Sequence, residues 1–129
     1  MISRRGVWGR WIVVFVAAAA IYYFSGRPVI GAVVPPFAHA DKVMHALAYA
    51  VFAALILRAL WADDARPVAV GVLVLGVLLA AAYGATDELH QRCVPGRSCD
   101  VYDWLADAAG AAVAAAAWRK LTARFPKLK

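Results

Sequence analysis

Residues 67–86 read PVAVGVLVLGVLLAAAYGAT, twenty consecutive positions without a charge. Wound as a helix, the stretch is about 30 Å long, which is the thickness of a bilayer's hydrocarbon core. It has no polar face to turn toward water. The whole chain has the same character: of 129 residues, 64% are hydrophobic and 17% charged, outside the range of ordinary globular domains. A soluble protein of this size has too little interior to hide so much apolar surface. The length accommodates one domain and no separate soluble module.

Three more segments come into consideration as spans. WIVVFVAAAAIYYFSG, Trp11 to Gly26, is flanked by Arg10 and Arg27. A second runs from Val43 to Trp61, with Arg58 near its end. The fourth, Tyr102 to Trp118, carries Asp103 and Asp107 inside it. Without those acids only AAGAAVAAAAW remains, too short to cross. Either the acids sit at membrane depth or this helix is not a full span. The expected fold is all-α: an integral membrane four-helix bundle, one domain over 1–129, with spans about 8–26, 43–61, 67–88 and 102–118. The first segment also has the basic start of a signal peptide, and Ala38-His39-Ala40 has the form of a cleavage site. That site lies too far past the apolar run for signal-peptidase geometry, so the segment is expected to remain as a helix.

The net charge of +6 does not form a nucleic-acid stripe. Basic residues cluster at the termini (Arg4, Arg5, Arg10; Arg119, Lys120, Arg124, Lys127, Lys129) and at the linker between spans two and three (Arg58, Arg66). With four spans these ten share one face, against Arg27, Lys42, Arg92 and Arg97 on the other. The positive-inside rule places the ten, and both termini, in the cytoplasm. The outer face then holds Asp41, Asp87, Glu88, Asp100, Asp103, Asp107, His39, His45 and His90. Side chains able to do chemistry collect on the extracytoplasmic side.

Helical spacing sorts them further. Asp41, His45 and Tyr49 at i, i+4, i+8 line one face of the second span. Gly84, Glu88 and Gln91 share a stripe at the end of the third, and Asp103, Asp107 and Gly110 at the start of the fourth. Counted from the opposite helix ends, His45 and Asp103 lie ~24 Å up and Glu88 ~30 Å. Acids at that depth cost a few kcal/mol unless they face the bundle interior and find partners. Lys42, His45 and Arg97 are the available partners, so a polar pocket between spans two, three and four is expected. Taken singly, Asp41 is as much a helix cap, His45 a packed histidine and Asp87–Glu88 a helix end in water. The turn at Pro95-Gly96 brings Arg97 back over the pocket, its guanidinium suited to phosphate or carboxylate. Asp87 and His90 fall one residue out of the stripe. Cys93 and Cys99 flank the turn, either paired or as two free thiols. Metal-ligand spacing along the chain is absent apart from Asp41 and His45, a pattern too common to carry a metal, and no cofactor is named.

The ordered set Asp41-Lys42-x-x-His45-x-x-x-Tyr49, Tyr83-Gly84-x-x-x-Glu88-x-x-Gln91, Val94-Pro95-Gly96-Arg97 and Asp103-x-x-x-Asp107-x-x-Gly110 resembles the VanZ-like family of small membrane proteins. The likeness covers about residues 41 to 115. The family takes its name from a protein associated with low-level resistance to teicoplanin. A role in glycopeptide or lipopeptide resistance, or in envelope homeostasis, is what the resemblance implies. Many members carry Asn where this chain has Asp107, which adds an acid to the pocket. His90 and the cysteine pair are particular to this chain.

Two functions fit these residues. In one, the pocket binds a membrane lipid headgroup or lipid-linked cell-wall precursor, with Asp41, Lys42, Tyr49, Gln91, Arg97 and Asp107 lining it. Lys42 and Arg97 then hold the anionic group. In the other, a membrane-embedded enzyme modifies such a lipid. His45 is then base or nucleophile, Asp41 or Asp103 orients it, and Glu88 is the partner acid. A transporter fits less well, since polar groups occupy only one end of the spans. The bacterial cytoplasmic membrane is the expected location, with the polar site outside.

Overall fold

The computed structural model describes residues 4–28, 37–61 and 67–124. Among them are four helices and no strand: α1 Arg4–Ser25, α2 Ala40–Leu60, α3 Val70–Gln91 and α4 Val101–Arg124. Of the basic residues expected on one face, Arg66, Lys127 and Lys129 lie outside the described residues. The helix boundaries follow local chemistry. Ala38 and His39 lead into α2, with His39 at the N-cap in the left-handed region at φ 63°. Beyond α3 the chain turns through Pro95 and Gly96, whose φ of 79° suits a residue without Cβ. Asp100 then caps α4: its Oδ1 accepts the Tyr102 N–H at 2.8 Å, while its carbonyl accepts the N–H groups of Asp103 and Trp104.

Neighbouring helices run in opposite directions. Arg10 Nη1 on α1 donates to the carbonyls of Arg58 and Trp61 at the end of α2. Trp61 meets Trp118 of α4 edge to face at 6.1 Å, and the Val68 N–H donates to Thr122 Oγ1. The start of α1 and the end of α4 are therefore at one end of the bundle. Ser25, Ala40, Gln91 and Val101 are at the other.

α2 and α4 form the closest pair. A Cβ added at Gly110 would overlap the Ala46 carbonyl, so the two backbones touch there. α3 packs on both, and α1 lies against α2 and, more lightly, α3. The core is Tyr49, Phe52, Ala53, Ile56, Leu57, Ala80 and Ala111. Two hydrogen bonds tie the helices at mid-height: Tyr83 Oη donates to the Ala18 carbonyl at 2.6 Å, and Trp104 Nε1 to the Ala81 carbonyl at 2.9 Å.

The outside of the bundle is apolar. Trp8, Ile12, Phe15, Val16, Leu47, Val51, Val74, Leu78 and Val113 are all exposed. In water that surface would be an aggregation hazard; in lipid it is the expected coat. Three helices, over Gly6–Ser25, Ala40–Leu60 and Val70–Gln91, are long and apolar enough to cross a membrane. α4 has the length, 24 residues, but carries its acids in the first two turns.

Candidate functional site: a carboxylate cluster with an arginine lid

The polar ends of all four helices meet. The site is best built outward from Asp107, which is fully buried. One turn beyond Asp103 on α4, it faces Gly84 of α3, where an added Cβ would lie 2.9 Å from Asp107 Oδ2 and 3.2 Å from Tyr49. The missing side chain at Gly84 is what admits the carboxylate. His45 on α2 places Nδ1 2.9 Å from Asp107 Oδ1, and its Nε2 lies 3.8 Å from Asp103 Oδ2. Asp107 Oδ2 has no hydrogen-bond partner among the described residues, and neither has the buried Tyr49 hydroxyl.

Glu88 is also buried. Its Oε2 accepts the Asp100 N–H at 2.9 Å, and its Oε1 accepts from Gln91 Nε2 at 3.3 Å. Gln91 Oε1 in turn accepts from Arg97 Nη1 at 3.3 Å, while Arg97 Nε donates to the Arg27 carbonyl at 3.1 Å. The chain's return after Pro95-Gly96 thus lays Arg97 across the end of α3 with donors to spare. Among the described residues, no Lys or Arg side chain pairs with Glu88 or Asp107.

Lys42 is engaged differently from the expectation. Its Nζ lies 3.1 Å from Asp41, 2.9 Å from Asp100 and 2.7 Å from Asp103, so three carboxylates of the chain itself already neutralise it. Arg97 is left as the cation better placed for an outside anion. Asp100 lies outside the helices, and the ammonium of Lys42 holds its carboxyl below the usual carboxylate range. Asp41 is half exposed and turned to Lys42, not to His45. The carboxylate that orients His45 is Asp107, with Asp103 farther off.

Of the residues the spacing singled out, His45, Tyr49, Glu88, Gln91, Asp103 and Asp107 are brought together, with Lys42 and Arg97 at the rim and Asp41 outside. Three were missed. Asp87 is buried, accepting from Ser25 Oγ on α1 at 2.5 Å and from Gln91 Nε2 at 3.2 Å. It falls out of the stripe that faces α2 and α4 because it serves the face toward α1. Asp100 links α2, α3 and α4; its signal was the Ser98-Cys99-Asp100 cap signature before the apolar run. Ser25, at an otherwise unremarked helix end, had no signal of its own. His90 stacks on Tyr22 with ring centroids 3.9 Å apart, away from His45, and His39 is exposed. Cys93 and Cys99 are both exposed free thiols.

A cavity of about 500 Å³ opens beside the cluster, lined by Ser25, His45, Tyr49, Asp87, Gln91 and Arg97 on its polar side. Ala20, Ile21, Phe24, Met44 and Ala48 make the apolar side, between α1 and α2.

With this geometry belongs the profile of the VanZ/LLP1 family, which matches residues 4–123. The chain belongs to the VanZ/LLP1 family. No curated protein and no solved structure matches it. The match extends the likeness carried by residues 41 to 115 to nearly the whole chain, α1 included.

Proposed function

We propose that this VanZ/LLP1-family membrane protein binds the anionic group of an amphiphile, a membrane lipid or a lipid-linked cell-wall precursor, in the cavity between α1, α2 and α3. The observation that carries the reading is the two-sided lining. Arg97, with N–H groups to spare, stands beside His45 at one wall, and Phe24, Ile21, Met44 and Ala48 offer an apolar slot at the other. A headgroup on Arg97 with its chain between α1 and α2 satisfies both sides. The cell envelope is the setting, and binding there would alter how such a molecule is displayed. That is how it would contribute to glycopeptide or lipopeptide resistance of the teicoplanin type, or to envelope homeostasis.

The same reading takes the chain as a single four-span domain. α4 is the fourth span, its acids carried on Lys42, His45 and Gly84 at the pocket. Both termini lie in the cytoplasm by the positive-inside rule, and the pocket faces the extracytoplasmic leaflet of the bacterial cytoplasmic membrane.

A second reading, a lipid-modifying enzyme at the same place, is favoured by one observation: the 2.9 Å pairing of His45 Nδ1 with Asp107, which leaves Nε2 on the side of Asp103. An imidazole so oriented is fit to act as base. Complementing a deletion strain tests both. Arg97→Ala should leave drug sensitivity and lipid profile as in the deletion, with protein level unchanged. If His45→Ala alone abolishes a lipid product that Arg97→Ala still makes, the enzymatic reading replaces binding. Wild-type behaviour of both variants removes the site altogether.

A further inference from the structure

The sequence spacing held no metal motif, yet folding brings three metal-competent groups together from three helices. One donor atom each from His45 of α2, Glu88 of α3 and Asp107 of α4 lies within 4.8 Å of the others. Ligand atoms around an ion with bonds of ~2.1 Å lie ~3–4 Å apart. The 2.9 Å between His45 Nδ1 and Asp107 Oδ1 is within reach of that spacing for neighbouring ligands.

A cluster of acids is not by itself a site, and the independent observation here is Asp107 Oδ2. The residue is fully buried and this oxygen has no hydrogen-bond partner among the described residues. A carboxylate oxygen left bare in an apolar bundle is costly, and no Lys or Arg side chain pairs with Asp107 or Glu88 among the described residues. The supporting shell is in place as well. Glu88 is held by the Asp100 N–H and by Gln91, and Asp107 sits against Gly84, where an added Cβ would crowd its Oδ2. Ligating carboxylates are ordinarily fixed in this way.

We propose that His45, Glu88 and Asp107 bind one divalent transition cation of the Zn²⁺ or Mn²⁺ class. An imidazole ligand argues against Ca²⁺ and Mg²⁺, which take oxygen ligands. Three protein ligands leave coordination positions open. His45 is the ligand that also lines the cavity, so an open position on that side would meet whatever anionic group enters it. This last connection rests on the headgroup reading above; the cation site does not.

The test uses the full chain in detergent, tag removed and stripped with chelator, with the metal alone as probe. Equilibrium dialysis against Zn²⁺ and Mn²⁺, counted by elemental mass spectrometry, should give one ion of at least one of the two metals per wild-type chain. Glu88→Gln keeps the side chain's shape and the acceptor for the Asp100 N–H. It and Asp107→Asn should each weaken binding by at least about tenfold, the scale seen when a site's ligand shell is disturbed. His90→Ala, on the Tyr22 stack, should bind as wild type does. No saturable uptake of either metal by the wild-type chain overturns the proposal, as does undiminished binding by folded Glu88→Gln and Asp107→Asn. Lipid enters neither arm, so a failed headgroup reading leaves this result standing and a failed cation site leaves that reading standing.

Discussion

At the scale of single residues, charge arithmetic at the polar end decides most of what happens. Lys42 holds Asp41, Asp100 and Asp103, and Asp100 in turn caps α4 and donates its N–H to Glu88. Lys42→Met would leave three carboxylates facing one another at the junction of α2 and α4. The Lys42 side chain is about one quarter exposed, so the cost falls below that of breaking a fully buried pair, at about 1–3 kcal/mol. Asp103→Asn in the same chain should recover part of the loss, and a double-mutant cycle on denaturation in detergent measures the coupling. Strict additivity would mean that the short Lys42–Asp103 contact contributes nothing.

At the scale of elements, the α2–α4 contact sets the site, because His45 and Asp107 sit on those helices four residues or fewer from the touching backbones at Ala46 and Gly110. Gly110→Ala forces the helices apart. Overpacking of this kind costs about 1–3 kcal/mol, and the same displacement should loosen the His45–Asp107 pair. Gly71→Ala on α3, where an added Cβ meets nothing within 4 Å, is the matched control. It should be neutral or stabilising by about 0.5–1 kcal/mol. Thermal unfolding of the two variants separates helix contact from helix propensity; equal behaviour would remove the contact as the reason for Gly110.

What could be seen in the chain beforehand also sorts by element. Periodicity gave the inward stripes of α2 and α4, hence His45, Tyr49, Asp103 and Asp107, although it set Asp41 on the α2 stripe as well, where the side chain turns to Lys42 instead. On α3 a single stripe accounted for Glu88 and Gln91 and left out Asp87, which bonds Ser25 of α1. Which acid a given cation would take was equally hidden. Lys42 has Asp41 as its sequence neighbour, yet its shortest contact is Asp103, sixty-one positions away. Such a choice depends on helix rotation and on the Asp100 cap, neither of which hydropathy records. The metal-competent triad was hidden for the same reason, since no two of its members are close in sequence.

At the scale of the whole molecule, one end of the bundle is bound by Arg10 and a tryptophan pair, the other by a hydrogen-bonded polar cluster, and apolar surface lies between. Orientation in the membrane follows from the proposed reading. Cys93 and Cys99 are exposed in the loop beside Arg97, so a membrane-impermeant maleimide should label intact cells. Labelling only after lysis would put the polar end in the cytoplasm.

The most direct measurement for the pocket itself is native mass spectrometry of the detergent-solubilised chain in a mixture of equal amounts of phosphatidylglycerol and phosphatidylcholine. The predicted result is one retained phosphatidylglycerol per wild-type chain, lost in Arg97→Ala while a surface control, Arg92→Ala, keeps it. Equal retention of both lipids, or retention unchanged in Arg97→Ala, would contradict the pocket as an anionic headgroup site.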